Sequence, residues 1–167
     1  MNNPKIIITV RGMGNMTAEL YPEKAPLTVE NFLKLVRSGF FSGTIFHRVI
    51  KGFMIQGGGY DEDFGQKEAD AIRGEFAVNG WAKNDIKHSR GVLSMARTND
   101  PNSASSQFFV MHKDSPHLDA QYAAFGRVTE GLEVIDKIAS LKTGNRGWYM
   151  QDVPVEAVVI ESITVVE

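Results

Sequence analysis

Two segments of the chain combine charge, amide and aromatic residues at strand-like spacing. The first reads Phe46-His47-Arg48-Val49-Ile50-Lys51-Gly52-Phe53-Met54-Ile55-Gln56-Gly57-Gly58. Residues two apart in a strand share a face. Phe46, Arg48 and Ile50 are therefore expected on one side, and His47 and Val49 on the other. Phe53, Met54 and Gln56 follow a glycine turn, which would return them beside Arg48. The second segment runs from Gly91 to Arg97, through polar Asn99–Ser106, and into Gln107-Phe108-Phe109-Val110, where Gln107 and Phe109 share a face. An Arg among apolar neighbours is either paired or functional, because it stays charged and carries a planar fork of donors. A Gln beside an aromatic is either a satisfied buried amide or a polar contact set in an apolar pocket. By itself the pattern also suits an edge-strand Arg with a solvated head.

Other chemistries find less support. Ser115, His117 and Asp119 lie close together in sequence, but a hydrolytic triad is a matter of geometry, and no Gly-x-Ser-x-Gly elbow is present. The four histidines, His47, His88, His112 and His117, form no metal-ligand spacing. Gly57-Gly58-Gly59 lacks the Lys-Ser/Thr of a phosphate loop and reads as a bulge or turn. No metal and no cofactor are expected.

The elements that must position these residues are short. Lys5–Val10 and Met16–Leu20 are β-prone runs joined by a connection with two glycines, which predicts a hairpin. Val29, Phe32, Leu33 and Val36 form the stripe of an amphipathic helix, with Pro26 at its start and Gly39 at its end. Further strands are predicted at Thr44–Ile50, Phe53–Gln56, Val92–Ala96, Gln107–Met111, Ala124–Val128 and Ala157–Val166. A second helix uses Leu132, Ile135, Ile138 and Ala139. Gly57–Ser89 reads as long surface loops. Many short strands with two helices favour a closed or nearly closed antiparallel barrel.

The chain has 167 residues, which fits a single domain over 1–167. Lys and Arg total 18 against 20 Asp and Glu, so no surplus positive charge is available for nucleic acid. Cysteine is absent, which excludes disulfides, thiolate metal sites and cysteine nucleophiles. The first apolar run is too short for a signal-peptide core, and no stretch approaches a membrane-spanning length. A cytoplasmic monomer, with no membrane and no nucleic-acid partner, is the expectation.

Taken together, the motifs closely resemble those of the cyclophilin family of peptidyl-prolyl cis-trans isomerases. The blocks are Glu30-Asn31-Phe32, Phe46-His47-Arg48, Gly52–Gly58, Gly91–Ala96, Ser106-Gln107-Phe108-Phe109 and Phe125-Gly126-Arg127-Val128, in family order. The resemblance implies a mainly β fold, a closed eight-stranded antiparallel barrel capped by two helices. It implies that Arg48 is catalytic and that Phe53, Met54, Phe109 and Leu118 wall the pocket for the proline ring. Gln56, Ala96, Arg97, Gln107, His117 and Tyr122 would contact the peptide, with His47 in support. Phe53, Met54 and Phe109 are accordingly expected to be exposed in a groove around Arg48. The implied partners are proline-containing peptides and unfolded or folding proteins. His117 stands where many eukaryotic members carry Trp, so only weak binding of cyclosporin-type cyclic peptides is implied. Tyr122 stands where many have His, as in bacterial members, and Arg97 where eukaryotic members often have Asn. A non-catalytic proline-peptide module or holdase on the same barrel is the alternative. The segments 59–87 and 143–152 are not fixed by the motifs.

Overall fold

A computed structural model describes residues 3–147 and 150–166. Met1, Asn2, Trp148, Tyr149 and Glu167, the remainder of the expected 1–167 domain, lie outside the described residues. Alternation of apolar and polar residues builds the first hairpin. In β1 (Lys5–Val10) and β2 (Gly14–Leu20), Ile6, Ile8 and Val10 face inward with Met16, Ala18 and Leu20. After α1 (Pro26–Arg37) come β3 (Arg48–Ile50), β4 (Met54–Gly57), β5 (Val92–Met95), β6 (Phe108–Met111) and β7 (Ala124–Glu130). Then follow α2 (Leu132–Ala139), β8 (Thr143–Arg146), β9 (Met150–Pro154) and β10 (Ile160–Val166).

Eight strands form one curled antiparallel sheet in the order β10-β1-β2-β7-β5-β6-β4-β3. Its concave face holds a phenylalanine-rich core. Phe32 of α1 meets Phe41, Phe108 and Phe125 at ring separations of 4.9, 5.4 and 5.0 Å. Val134, Ile135 and Ile138 of α2 join the same core. The fold is mainly β with two packed helices, as the resemblance implies.

In one respect the sheet falls short of the closed barrel expected from sequence. Its ladder stops between β3 and β10. Closure there runs through irregular backbone: an isolated Ile45–Val159 bridge, with Phe46 N–H donating to Val158 O at 2.9 Å and Ile160 N–H to Thr44 O at 2.7 Å. The predicted strand Thr44–Ile50 accordingly shrinks to Arg48–Ile50. Ile45, Phe46 and His47 are all buried in succession, so in–out alternation begins only at Arg48. Phe46 therefore belongs to the core and does not share the outward face of Arg48.

Two further stretches complete the fold. In the segment that the motifs leave open, β8 and β9 pair as a separate two-stranded antiparallel sheet, mostly polar at its exposed positions. The stretch 57–89 is mostly irregular and lies largely at the surface, as expected, but several of its side chains reach inside. Glu75, Phe76, Asn84 and His88 are buried, and Asn84 Nδ2 donates to the carbonyls of Glu75 and Ala124 at 2.8 Å each.

The glycine run that opens this stretch serves close approach. A Cβ on Gly57 would lie 2.6 Å from Ile45 O and 3.0 Å from Phe46 Cα, and one on Gly59 would lie 2.4 Å from Gln107 Cγ. Overpacking of this kind costs about 1–3 kcal/mol. Gly57→Ala should therefore lower stability by about 2 kcal/mol, read as a reduced urea midpoint at unchanged slope. An unchanged midpoint would show that the Ile45–Val159 closure can shift at no cost.

Candidate active site

Register places the candidate residues. Arg48 lies directly opposite Gln56 across the β3–β4 hairpin, and Gln56 lies opposite Phe109 of β6. Directly paired residues project to the same face of a sheet. A guanidinium, an amide and an aromatic ring therefore form a row across three strands. The row borders a cavity of about 130 Å³. Met54, Phe109 and Leu118 form its apolar floor, Phe53 and Tyr122 its sides, Arg48 and Gln56 its polar edge, and Ala96 and Arg97 its rim.

The exposure of these side chains differs from expectation. Only Phe53 of the three expected groove aromatics and methionine is part-exposed, whereas Met54 is 1% and Phe109 5% exposed. Met54 and Phe109 pair with Met111 and Ser94 in the middle of the sheet, so neighbouring strands cover all but the edge that meets the cavity.

Arg48 is exposed, as an edge-strand Arg would be, but its head is held. Nη1 donates to Gln56 Oε1 at 3.3 Å, and Gln56 Nε2 donates to Gln107 Oε1 at 3.0 Å. Gln107 does not line the cavity itself. It lines an adjoining one of about 220 Å³ that shares Gln56, Ala96 and Arg97. Arg97 is fixed at the rim. Its Nε and Nη2 donate to Gln121 O at 3.2 and 2.8 Å, and its guanidinium lies over the Tyr122 ring at 4.6 Å. His117 lies outside the cavity, exposed, with its ring stacked on Phe53 at 5.8 Å. His47 lies behind Arg48, packed against Tyr60 at 4.7 Å, and its buried Nδ1 has no hydrogen-bond partner. Burial, and then the Arg48 charge, push the His47 imidazole down to about 4, so it is neutral near pH 7.

Sequence reasoning missed a second layer. His88 is buried behind the floor, its ring stacked on Phe109 at 6.1 Å. Nδ1 is 3.1 Å from Asp119 Oδ1 and Nε2 is 2.8 Å from Ser94 Oγ. A carboxylate only accepts, so Nδ1 carries the proton and Nε2 accepts from the Ser94 hydroxyl. Burial lowers the His88 pKa, with Asp119 opposing it. This is the connectivity of a hydrolytic triad, built from residues other than the Ser115-His117-Asp119 set. Ser94 is 0% exposed and cannot meet a substrate, so the chain supports the floor. No local pattern in the sequence joins residues 88, 94 and 119. Among the described residues no group of three or more metal-binding side chains converges.

Comparison with known proteins gives the arrangement a context. The family model for cyclophilin-type peptidyl-prolyl cis-trans isomerases matches residues 5–165. The chain belongs to the cyclophilin family. This cyclophilin is 48% identical over 157 residues to a peptidyl-prolyl cis-trans isomerase of Streptomyces antibioticus, covering 89% of this chain and 91% of that one. It is 44% identical over 162 residues to peptidyl-prolyl cis-trans isomerase B of Escherichia coli, covering 92% and 95%. The crystal structure of a Cryptosporidium parvum cyclophilin-type isomerase superposes with a TM-score of 0.80 at 27% identity, covering 99% of this chain and 98% of that one. A second structure of that protein, determined in the presence of the dipeptide Ala-Pro, gives 0.78 at 28% identity, covering 98% and 99%. The chain is thus a peptidyl-prolyl cis-trans isomerase, an enzyme that accelerates rotation about X–Pro bonds.

The buried histidines make the cyclophilin acid-sensitive. The His47 value falls from 6.5 to about 4 on folding. Between these values the unfolded chain binds a proton that the folded chain does not, so stability decreases as pH falls from 6.5 toward 4. One such group contributes a slope of at most about 1.4 kcal/mol per pH unit, and His88 adds in the same direction. Urea unfolding at pH 7 and pH 5 should show this loss, and His47→Asn should flatten it. An identical pH dependence in the variant would remove His47 as the source.

Proposed function

We propose that Arg48 drives the isomerisation and that the adjoining cavity holds the proline ring. The observation that carries this reading is the Arg48 guanidinium, oriented by Gln56, at the edge of a small cavity with an apolar floor, while the Arg97 guanidinium at the rim is tied to Gln121 O. The amide barrier of ~18–20 kcal/mol arises from delocalisation of the nitrogen lone pair into the carbonyl. Twisting returns the pair to nitrogen, which becomes pyramidal and accepts hydrogen bonds. A guanidinium aimed at that nitrogen binds the twisted state more tightly than the planar one, which is the condition for catalysis. The reaction asks for no nucleophile, metal or cofactor. A buried floor of Met54, Phe109 and Leu118 grips the pyrrolidine ring and excludes water, which favours the planar dipolar amide. Gln56, Gln107 and the Ala96-Arg97 backbone hold the flanking peptide while the carbonyl side turns.

On this reading the partners are prolyl segments of unfolded or folding proteins, and a structural relative determined with Ala-Pro agrees with that class. We propose further that the enzyme acts as a monomer in the cytoplasm, away from membranes. Its net charge of −2 leaves no overall surplus of positive charge for neutralising nucleic acid.

A charged hydrogen bond contributes about 1.5–3 kcal/mol, so Arg48→Ala should lower kcat roughly ten- to hundred-fold with KM little changed. Exchange NMR on an Ala-Pro peptide reads this directly, and equal activity in the variant would overturn the role of Arg48. His117 stacks on Phe53 from outside the cavity, so His117→Trp should tighten cyclosporin-type binding while leaving isomerisation almost unchanged. An unaltered inhibitor affinity, read by fluorescence titration, would defeat that assignment.

A further inference from the structure

We infer that His112 is a positioning residue for this isomerase: it couples helix α2 to the turn that carries Phe53, and so sets one wall of the proline pocket. The inference rests on the reading that Phe53 walls that pocket. His112 is 7% exposed, and both of its ring nitrogens are engaged. Gly52 N–H donates to Nδ1 at 2.8 Å. The backbone N–H of His112 donates to Phe53 O at 2.9 Å, and that of Lys113 approaches the same oxygen at 3.4 Å. Residues 52 and 53 are thus gripped by one histidine from two sides, through its ring and through its backbone.

The other end of the ring reaches α2. Nδ1 accepts an amide proton, so it carries none, and the imidazole proton sits on Nε2. Nε2 lies 3.0 Å from Asp136 Oδ1 and donates to it. Asp136 is itself clamped by Arg90, whose Nη1 and Nη2 reach its two oxygens at 2.7 and 3.0 Å. Arg90 Nη1 also donates to His112 O at 3.2 Å. A continuous chain therefore runs from Arg90 and Asp136 through the imidazole to Gly52 and Phe53. Each link fixes the donor or acceptor role of the next, so the tautomer is forced from both ends. None of these groups touches the cavity except Phe53, which distinguishes positioning from catalysis.

Phe53 meets the proline ring in the planar and twisted states alike, so loosening it weakens binding of both. Such uniform loss raises KM and leaves kcat nearly unchanged, the opposite of the split expected for Arg48. His112→Leu should raise KM for an Ala-Pro peptide about five-fold, the equivalent of one net hydrogen bond, and should move the Gly52 amide resonance. His112→Asn supplies Oδ1 near the position of Nδ1 and should restore KM to within about two-fold of the parent. A folded Leu variant with unchanged KM, or a folded Asn variant that fails to rescue, overturns the proposal. Should His112→Leu not fold, Asp136→Ala frees the ring from α2 without touching the turn. KM then rises and the Gly52 amide shifts, or the proposal falls. Phe53→Ala serves as the control: if it leaves KM unchanged, the pocket reading has failed, and if it raises KM while the His112 variants do not, only the coupling has failed.

Discussion

The site depends on strand register. Arg48, Gln56 and Phe109 stand opposite one another in consecutive strands of one sheet. A slip of one residue in either pairing would send the guanidinium or the ring to the opposite face, because side chains alternate with a period of two. The register is held from inside, where Val49, Ile55 and Val110 pair in the core and admit no polar substitute. The core therefore specifies the alignment of the polar row on the outer face. Gly57 and Gly59 serve the same alignment, since any side chain there would meet the Ile45 carbonyl or the Gln107 side chain.

Behind this row stand three histidines, each buried and each solved differently. His88 donates through Nδ1 and accepts at Nε2, holding Asp119 to Ser94 beneath Phe109. His112 does the reverse, accepting at Nδ1 from a turn and donating through Nε2 to a helix. A neutral imidazole is the one common side chain that supplies a donor and an acceptor across a short rigid ring. It therefore suits links between elements whose backbone groups face each other with fixed polarity. His47 has no partner at Nδ1, and its place beside the Arg48 charge adds to burial in keeping it neutral. A second positive charge beside Arg48 would repel the first, so a neutral His47 leaves the guanidinium without a repelling neighbour on that side.

Much of the fold was legible in the sequence because β1, β2 and the two helices bury one face each, while the central strands β5 and β6, buried throughout, show as short apolar runs. The alternation in Lys5–Val10 and the stripe of Val29, Phe32, Leu33 and Val36 leave a periodicity that elementary geometry decodes. Legibility failed where burial is not periodic. Ile45, Phe46 and His47 are all inside, which hides the end of the ladder. Glu75, Phe76 and Asn84 are buried in irregular chain, anchored by bonds such as Thr28 N–H to Glu75 Oε1 at 2.7 Å. Of the site, Arg48, Phe53, Met54, Gln56, Ala96, Arg97, Gln107 and Phe109 were found because they cluster in two segments, and Leu118 and Tyr122 through the family resemblance alone. His88 and His112 were not, since Asp119 lies 31 residues from His88, Asp136 and Gly52 lie 24 and 60 from His112, and only the tertiary fold brings them together. His117 was assigned by motif position, and the structure places it stacked on Phe53 beside the cavity.

The buried floor bears on how the chemistry works. A single charged hydrogen bond of about 1.5–3 kcal/mol falls well short of the roughly 7 kcal/mol that a 10⁵-fold acceleration requires. An exposed apolar groove would supply little of the difference, because water would share it with the substrate. Met54 and Phe109, almost wholly covered, present only an edge to the cavity. A ring seated there displaces the last water from a surface that the protein has already desolvated. On the proposed reading the amide then lies beside the Arg48 guanidinium with less water around it, and the same hydrogen bond is stronger than in bulk solution. On the same reading, rigidity of this buried floor, as distinct from the Phe53 wall, multiplies the effect of the charge: Arg48 discriminates the twisted nitrogen from the planar one only if the ring it flanks is not free to retreat into the floor.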